Sequence, residues 1–98
     1  MTDRELLEAA ARAAGIEYGV IHDTPRRKCV DGWTPWNPLS DDGDVFALMV
    51  ALRLDVKFLK PNGVSVSLGP YVSFIDNDPR EATRRAIMRA AAEIGRDA

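Results

Sequence analysis

The 98-residue sequence contains one cysteine and one histidine, and this scarcity excludes several kinds of site. Cys29 alone cannot form a disulfide within the chain or a cysteine-rich zinc site, and so low a cysteine content is typical of a reducing compartment. His22 alone cannot build a histidine-based metal centre. No apolar run approaches the roughly 20 residues that cross a bilayer, and the acidic start of the chain is unlike a signal peptide. We therefore expect a cytoplasmic protein without membrane association.

Catalytic signatures are equally scarce. The sequence has no glycine-rich phosphate loop and no pair of carboxylates at a recognisable catalytic spacing. His22 has no serine or cysteine placed as in a nucleophilic triad. We therefore predict that the protein is not an enzyme and that it uses no cofactor.

The charge balance is slightly acidic, with 13 basic and 15 acidic residues, a net charge of −2 and a pI near 5.3. This balance argues against general affinity for nucleic acid. Apolar residues make up 46% and charged residues 29% of the chain, which is ordinary for a globular protein. The length suits one small domain, so we expect a single domain over residues 1–98.

Apolar periodicity predicts three helices. The first follows a capping box at Thr2–Glu5, in which side chains bond the free backbone N–H groups. The second begins after Ser40 or Asp41 and is apolar nearly all round, which predicts that it is largely buried. The third begins at Pro79 and is predicted to end at Gly95.

Alternation of apolar and polar residues predicts strands between these helices. Residues 55–75 contain three such segments separated by the turns Asn62–Gly63 and Gly69–Pro70, which predicts an antiparallel meander. For residues 17–32 either a hairpin or a loop fits. The order of elements predicts an α+β fold in which the meander is covered by three helices as an α/β/α sandwich, with a two-layer arrangement as the alternative.

Residues 33–44 (Trp-Thr-Pro-Trp-Asn-Pro-Leu-Ser-Asp-Asp-Gly-Asp) form the most distinctive segment, and we interpret it as a loop. Aromatic anchors on stiff loops are typical of interface hot spots and of platforms that stack nucleotides. The alternative is that the tryptophans close the core beneath the loop. We predict a partner-binding surface in this segment. Its residues are Trp33, Trp36, Asn37, Asp41, Asp42 and Asp44.

The three acids of this segment, Asp41, Asp42 and Asp44, are ligands of the kind that Mg²⁺ and Ca²⁺ prefer. Their spacing lacks the alternating ligands and terminal glutamate of an EF-hand loop, and acids at a helix N-terminus are favoured by the helix dipole. We therefore predict no metal site, and we expect the acids to steer a basic partner.

Two basic groups suggest an alternative function. Arg26 and Arg27 lie in a basic turn or strand edge, and Arg85 and Arg89 lie on the outer side of the last predicted helix. The functional interpretation is a site for a small anionic ligand such as a nucleotide. The alternative is a protected strand edge and a solvated helix face with i,i+4 ion pairs.

Two stretches of the chain resemble a known family. Residues 36–44 (Trp-Asn-Pro-x-x-Asp-Asp-Gly-Asp) and the closing helix at 78–86 (Asp-Pro-x-x-Ala-x-x-Arg-Ala) resemble the phage ABA-sandwich domain, found in small proteins of tailed phages and prophages. The layout of the rest is also similar, except for residues 17–32. The resemblance implies helix–sheet–helix layering and a bacterial cytoplasm, and it implies no catalytic residues.

These expectations combine into one leading function. The chain is predicted to be a non-enzymatic phage or prophage accessory protein that binds and modulates a host protein or assembly, with counter-defence as one such role. The alternative is a protein that binds or sequesters a small anionic ligand, and a metal enzyme built on the three acids is a third, weaker interpretation. The surplus of apolar positions on a short chain also predicts a homodimer.

Overall fold

The computed structural model describes residues 2–59, 63–66, 71–74 and 78–96, and within them it shows three helices and two antiparallel sheets. The predicted α+β class is therefore confirmed. In chain order the elements are α1 (Asp3–Ala14), β1 (Tyr18–Ile21), β2 (Thr24–Cys29), β3 (Gly32–Pro35), α2 (Asp42–Ala51), β4 (Val56–Leu59), β5 (Gly63–Val66), β6 (Tyr71–Phe74) and α3 (Pro79–Arg96).

Helix α1 begins and ends where the sequence predicts. The Thr2 hydroxyl accepts a hydrogen bond from the Glu5 N–H at 3.2 Å, and the Glu5 carboxylate accepts one from the Thr2 N–H at 3.2 Å. The hydrogen bonds that Thr2 donates to this carboxylate, from its N–H and from its hydroxyl, favour the ionised form and lower the pKa of Glu5. Gly15 has a φ of 71° in the left-handed region and closes the helix by donating to the carbonyls of Ala11 and Arg12.

Helices α1 and α3 cross at very close range. A Cβ atom at Gly95 would overlap the carbonyl oxygen of Ala9, so the crossing requires glycine at this position. Ala92 is buried beside Ala9, and Arg12 Nε donates to the Gly95 carbonyl at 3.3 Å. Gly95 therefore lies within α3 at a helix crossing, and its predicted role as the residue that ends the helix is wrong.

The second sheet, β4–β5–β6, is the predicted antiparallel meander. Val64 and Val66 of its central strand are fully buried against one stripe of α3. Ala86, Ile87 and Ala90 form that stripe, as the periodicity of the sequence predicts. Alanine at these positions allows the helix to approach the sheet closely, so helix and sheet share one apolar core.

The first sheet, β1–β2–β3, resolves the segment for which the sequence left a hairpin or a loop open. His22 and Asp23 form its first turn with φ of 53° and 59°, the conformation that a two-residue hairpin turn requires. Trp33 pairs with Lys28 across the second turn. The start of segment 33–44 is therefore a strand, and the prediction of a loop from residue 33 onward is wrong there.

Helix α2 is less buried than its apolar sequence predicts. The side chain of Asp41 caps it by accepting a hydrogen bond from the Gly43 N–H at 2.9 Å. Only Val45 and Leu48 of this helix are fully buried, whereas Phe46 is 62% exposed. The prediction of a largely buried helix is therefore wrong. Among the described residues, no helix combines the length and apolar character that a membrane crossing needs.

Candidate functional site

The two tryptophans lie on opposite sides of the first sheet. Positions 33 and 36 are an odd number of residues apart, and side chains alternate between the faces of an extended chain. Trp36 is 3% exposed, and its ring meets the Tyr18 ring edge-on at a centroid distance of 6.0 Å. It packs against Leu48 and Met88 in the core. Trp36 is thus a core residue, which corrects its assignment to a partner-binding surface.

Trp33 remains on the surface, with 38% of its area exposed. A Cβ atom at Gly19 would lie only 3.0 Å from the indole ring, so the ring crosses the central strand and rests on a glycine of the far strand. Lys28 is directly opposite Trp33, and its Nζ lies 5.7 Å from the ring centroid, within range of a cation–π interaction. The glycine and the lysine together hold the indole in one place.

Arg26 lies on this same surface. It is two residues from Lys28 on β2 and pairs with both Gly19 and Pro35, so all of these share one face. Its Nε is buried and has no hydrogen-bond partner among the residues that the structure describes. We call this surface the Trp33 face. It comprises Gly19, Arg26, Lys28, Trp33 and Pro35.

The cations of the Trp33 face are not neutralised within the described part of the chain. None of the ion pairs found there involves Arg26 or Lys28. The Lys28 N–H donates to the Glu17 carbonyl at 2.9 Å, which places these two residues side by side. The carboxylate of Glu17 nevertheless forms no ion pair with Lys28. An indole flanked by two such cations suits a carboxylate or phosphate group beside a flat apolar group.

The polar residues of segment 37–44 serve the fold. The Asn37 N–H donates to Asp44 Oδ2 at 2.9 Å, and the Asn37 side-chain oxygen accepts from the Leu39 N–H at 3.1 Å. Burial raises the pKa of the Asp44 carboxyl, and the hydrogen bond from Asn37 opposes this effect only in part. Both side chains hold the chain in the turn that leads into α2.

Asp42 is also used internally, because it ties α2 to α3. Its carboxylate accepts from Arg84 at 2.7 Å and from Arg80 at 3.5 Å, and Arg84 also donates to the Leu39 carbonyl at 2.8 Å. The hydrogen bond from Arg84 lowers the pKa of Asp42. Within the described residues, no group of three or more histidine, cysteine or acidic side chains is arranged to hold a metal ion.

The four arginines of the alternative prediction do not come together. Arg85 pairs with Asp3 at 3.2 Å and with Glu81 at 3.6 Å, and the bond to Asp3 raises the pKa of Arg85. Arg89 is exposed one turn further along α3. The structure therefore separates the arginines of this helix from those of the first sheet.

Arg26 and Arg27 themselves point to opposite faces of the first sheet, since they are neighbours on one strand. Arg27 lines a small cavity of about 130 Å³ beside Trp36 and Ala47, and its charge acts on Asp44. Of the four arginines, only Arg26 belongs to the Trp33 face. Sequence analysis did not place Lys28 or Gly19 beside Trp33, although the i, i+2 spacing of Arg26 and Lys28 signals a shared strand face.

Two further clefts flank the helices. One, of about 450 Å³, lies between α1 and β1 and is lined by Arg4, Glu8 and Tyr18, whose phenol pKa is raised by burial. The other, of about 520 Å³, lies between α2, β4 and the start of α3 and is almost entirely apolar. Phe46 and Phe58 stand on its walls.

Comparison with known proteins finds no matching family model, no matching curated protein and no matching solved structure.

Proposed function

We propose that this chain is a non-enzymatic binding protein that attaches to a host protein or assembly through the Trp33 face. The observation that carries the proposal is the placement of Trp33, a half-exposed indole seated on Gly19 and flanked by Lys28 and Arg26. Large aromatic anchors and arginines supply most of the binding energy in protein interfaces. A rigid seat reduces the entropy lost when the indole is covered by a partner.

The charges on this face favour an acidic partner surface. Arg26 and Lys28 have no carboxylate partner in the described part of the chain, whereas the acids of segment 41–44 cap a helix, pair with arginines or hold a turn. The sequence-based expectation of a basic partner depended on those acids being free. The acidic surface of a partner would neutralise the two cations and make association sensitive to salt.

The biological setting of the proposal comes from the sequence. The resemblance of residues 36–44 and 78–86 to the phage ABA-sandwich domain supports a phage or prophage accessory protein in the cytoplasm of a bacterial host, with counter-defence as one such role. We also propose that the chain forms a homodimer, because Phe46 and Val50 of α2 remain exposed.

A second candidate function uses the same face. The buried Nε of Arg26 lacks a hydrogen-bond acceptor among the described residues, and a phosphate oxygen would supply one. A nucleotide base would stack on Trp33 while Arg26 and Lys28 held its phosphate. Of the four arginines in the predicted anion site, this candidate retains only Arg26. Lys28 takes the place of the other three.

The test compares the wild type with Trp33→Ala and Lys28→Glu, with Val30→Ala as a control at a fully exposed turn position. A captured host protein is purified, and its affinity for each variant is measured. Trp33→Ala is expected to weaken binding about 30-fold or more, which corresponds to about 2 kcal/mol. Lys28→Glu also weakens binding, and Val30→Ala leaves it unchanged.

Nucleotides are tested in parallel by calorimetry with the same variants. Binding of a nucleotide that Trp33→Ala abolishes, without any protein partner of the same dependence, supports the second candidate. Unchanged affinity of every ligand in both folded variants, checked by circular dichroism, refutes a role for the Trp33 face.

A further inference from the structure

Strand β1 is one edge of the first sheet, and half of its backbone groups face away from that sheet. The Lys28 N–H donates to the Glu17 carbonyl, in register with the ladder that joins β1 and β2. In an antiparallel ladder, residue pairs that exchange hydrogen bonds alternate with pairs that do not. Gly19 therefore bonds to β2, whereas the N–H and C=O groups of Tyr18 and Val20 point outward.

The outward groups of β1 are open to a cleft. The backbone hydrogen bonds outside ladders and helices, within the residues that the structure describes, include none from Tyr18 or Val20. Both residues line the cleft of about 450 Å³ between β1 and α1, together with Gly19 between them. Side chains alternate between the faces of a strand, so a cleft that touches three consecutive residues follows the edge. Its volume lies in the range of ligand pockets.

The opposite edge of the sheet, β3, is protected against pairing with another chain. The Trp36 N–H donates to the Pro25 carbonyl, in register with the ladder between β2 and β3. The same alternation turns the backbone of Trp33 and Pro35 outward. Proline has no N–H, and its presence on an edge strand hinders the addition of a further strand. Strand β1 contains neither proline nor lysine, so its edge keeps both donors and both acceptors.

The cleft beside β1 also has an excess of positive charge. Arg4, Glu8 and Arg12 line its α1 wall and, at intervals of four, share one stripe of the helix. The two cations outnumber the one acid, and none of the three takes part in the ion pairs found among the described residues. Carboxylates are therefore favoured over basic groups in a segment that enters this cleft.

We infer that an extended acidic segment of the partner protein adds to β1 as a fourth strand of the first sheet. Its backbone pairs with the outward groups of Tyr18 and Val20, which is a general way of binding an extended peptide. The added strand lies about 4.8 Å from β1, so its side chain beside Gly19 meets the Trp33 ring that rests on this glycine. The neighbouring side chains point into the cleft toward Arg4. The inference rests on the proposed function, because it names the form in which the partner meets the Trp33 face.

The first test uses synthetic peptides of about six residues, the usual length of a strand, in which glutamate alternates with valine. Binding is measured by fluorescence anisotropy, and absence of binding overturns the inference. Successive N–H groups of a strand point to opposite edges, so N-methylation of the valines and N-methylation of the glutamates block opposite edges of the peptide. Only one of the two modified peptides is expected to lose affinity, by about tenfold or more. Equal effects overturn strand addition, and so does equal affinity for a peptide with lysine in place of glutamate.

The second test changes the edge of β1 itself. Val20→Pro removes an outward N–H and leaves the ladder to β2 intact, because that ladder does not use this group. Affinity for the unmodified peptide is expected to fall about tenfold or more. Val20→Ala, which loses the side chain and keeps the N–H, is expected to lower it less than about threefold. Equal losses in the two variants, with folding checked by circular dichroism, contradict pairing through the backbone.

Amide hydrogen exchange of the wild type gives a measurement that needs no variant. Exchange of the Tyr18 and Val20 amides is expected to slow about tenfold or more when the peptide is bound. Unchanged rates overturn the inference. Slowing that follows protein concentration without peptide shows pairing with a second copy of the chain, which also overturns it.

Trp33→Ala separates the failure of this inference from the failure of the proposed function. Loss of peptide affinity in Trp33→Ala together with unchanged affinity in Val20→Pro overturns strand addition and leaves the Trp33 anchor standing. Loss in Val20→Pro alone supports strand addition and removes Trp33 from the site. Loss in both variants supports both proposals.

Discussion

Helices α3 and α2 pack into the same core but present different surfaces to water. The outer side of α3 is basic, and four of its arginines pair with acids on α3 or on other parts of the same chain. Arg80 and Arg84 pair with Asp42, Arg85 pairs with Asp3 and Glu81, and Arg96 pairs with Glu93.

The outer side of α2 has no such partners, because Phe46 and Val50 offer nothing for an ion pair or a hydrogen bond. Both helices are needed to close the core, so burial of the inner side does not explain the difference. The surface of α3 is satisfied within one chain, whereas the surface of α2 is not. The contrast shows that the solvent-facing residues of a helix indicate its functional role more clearly than its average apolar content does.

The largest effect is expected at Trp36, where the cores beneath both helices meet. Its indole packs against Leu48 of α2 and Met88 of α3 and is 3% exposed. We expect Trp36→Ala to lower the free energy of unfolding by about 3–5 kcal/mol, because it leaves a large cavity. Chemical denaturation measures the change.

Trp33→Ala is the matched control for this substitution, since it removes the same side chain from the sheet surface. We expect it to cost about 1 kcal/mol, for lost packing on Gly19 and the lost cation–π contact. Equal losses in the two variants would show that Trp33 is also a core residue, and would contradict its role as a binding anchor.

A smaller loss is expected on the inner side of α3, at its crossing with α1. Gly95→Ala places a methyl group where the Ala9 carbonyl oxygen lies, so the helices must separate. We expect a loss of about 3 kcal/mol in the free energy of unfolding, as for overpacked cores. Gly43→Ala on α2 is the control, because the nearest atom to the added Cβ is 3.5 Å away.

For Gly43→Ala we expect no loss, and a gain of up to about 1 kcal/mol, because alanine is the better helix former. If both glycine variants behave alike, the crossing of α1 and α3 is looser than the structure shows. The contrast between a tight inner face of α3 and an open outer face of α2 would then weaken.

The sequence predicted those parts of the fold that depend on local signals. The capping box at Thr2–Glu5 and the alanine stripe of α3 act over one or two helical turns, so they can be read from residue spacing. The meander of β4, β5 and β6 was predictable for the same reason, since apolar and polar residues alternate along its segments. The first sheet was not, because His22 and Asp23 adopt positive φ without a glycine to signal it.

The candidate site was only partly predictable, because it depends on contacts between distant residues. Asp42 was assigned to a partner surface, and its actual partner, Arg84, lies 42 residues further along the chain. Trp33 and Trp36 were both assigned to the partner-binding surface. In the structure residue 33 belongs to strand β3, and only one of the two indoles is exposed. The register of β3 against β2 decides which of its side chains face the core, and it places one indole outside and the other inside. This register is a property of the pairing and not of the segment alone.

The smallest predicted effect concerns the acids at the start of α2, where the helix is tied to α3. The hydrogen bond from Arg84 lowers the pKa of Asp42 from its ordinary value of 3.8, whereas burial raises the pKa of Asp44 from the same value. The stabilisation from Asp42 is therefore present above its ordinary pKa and is lost as the pH falls through the lowered pKa of the folded state. That from Asp44 is present below its ordinary pKa and is lost as the pH rises through the raised pKa.

Asp42→Asn and Asp44→Asn separate these two contributions, because an amide keeps a hydrogen-bond acceptor but cannot ionise. Denaturation is measured for each variant and the wild type from about pH 3 to pH 7, the range in which carboxylates titrate. As the pH rises, the wild type is expected to gain stability relative to Asp42→Asn and to lose it relative to Asp44→Asn. The first trend weakens at high salt, because the pair of Asp42 and Arg84 is partly exposed to solvent. Trends of the same sign in both variants would contradict the opposite shifts of these two pKa values.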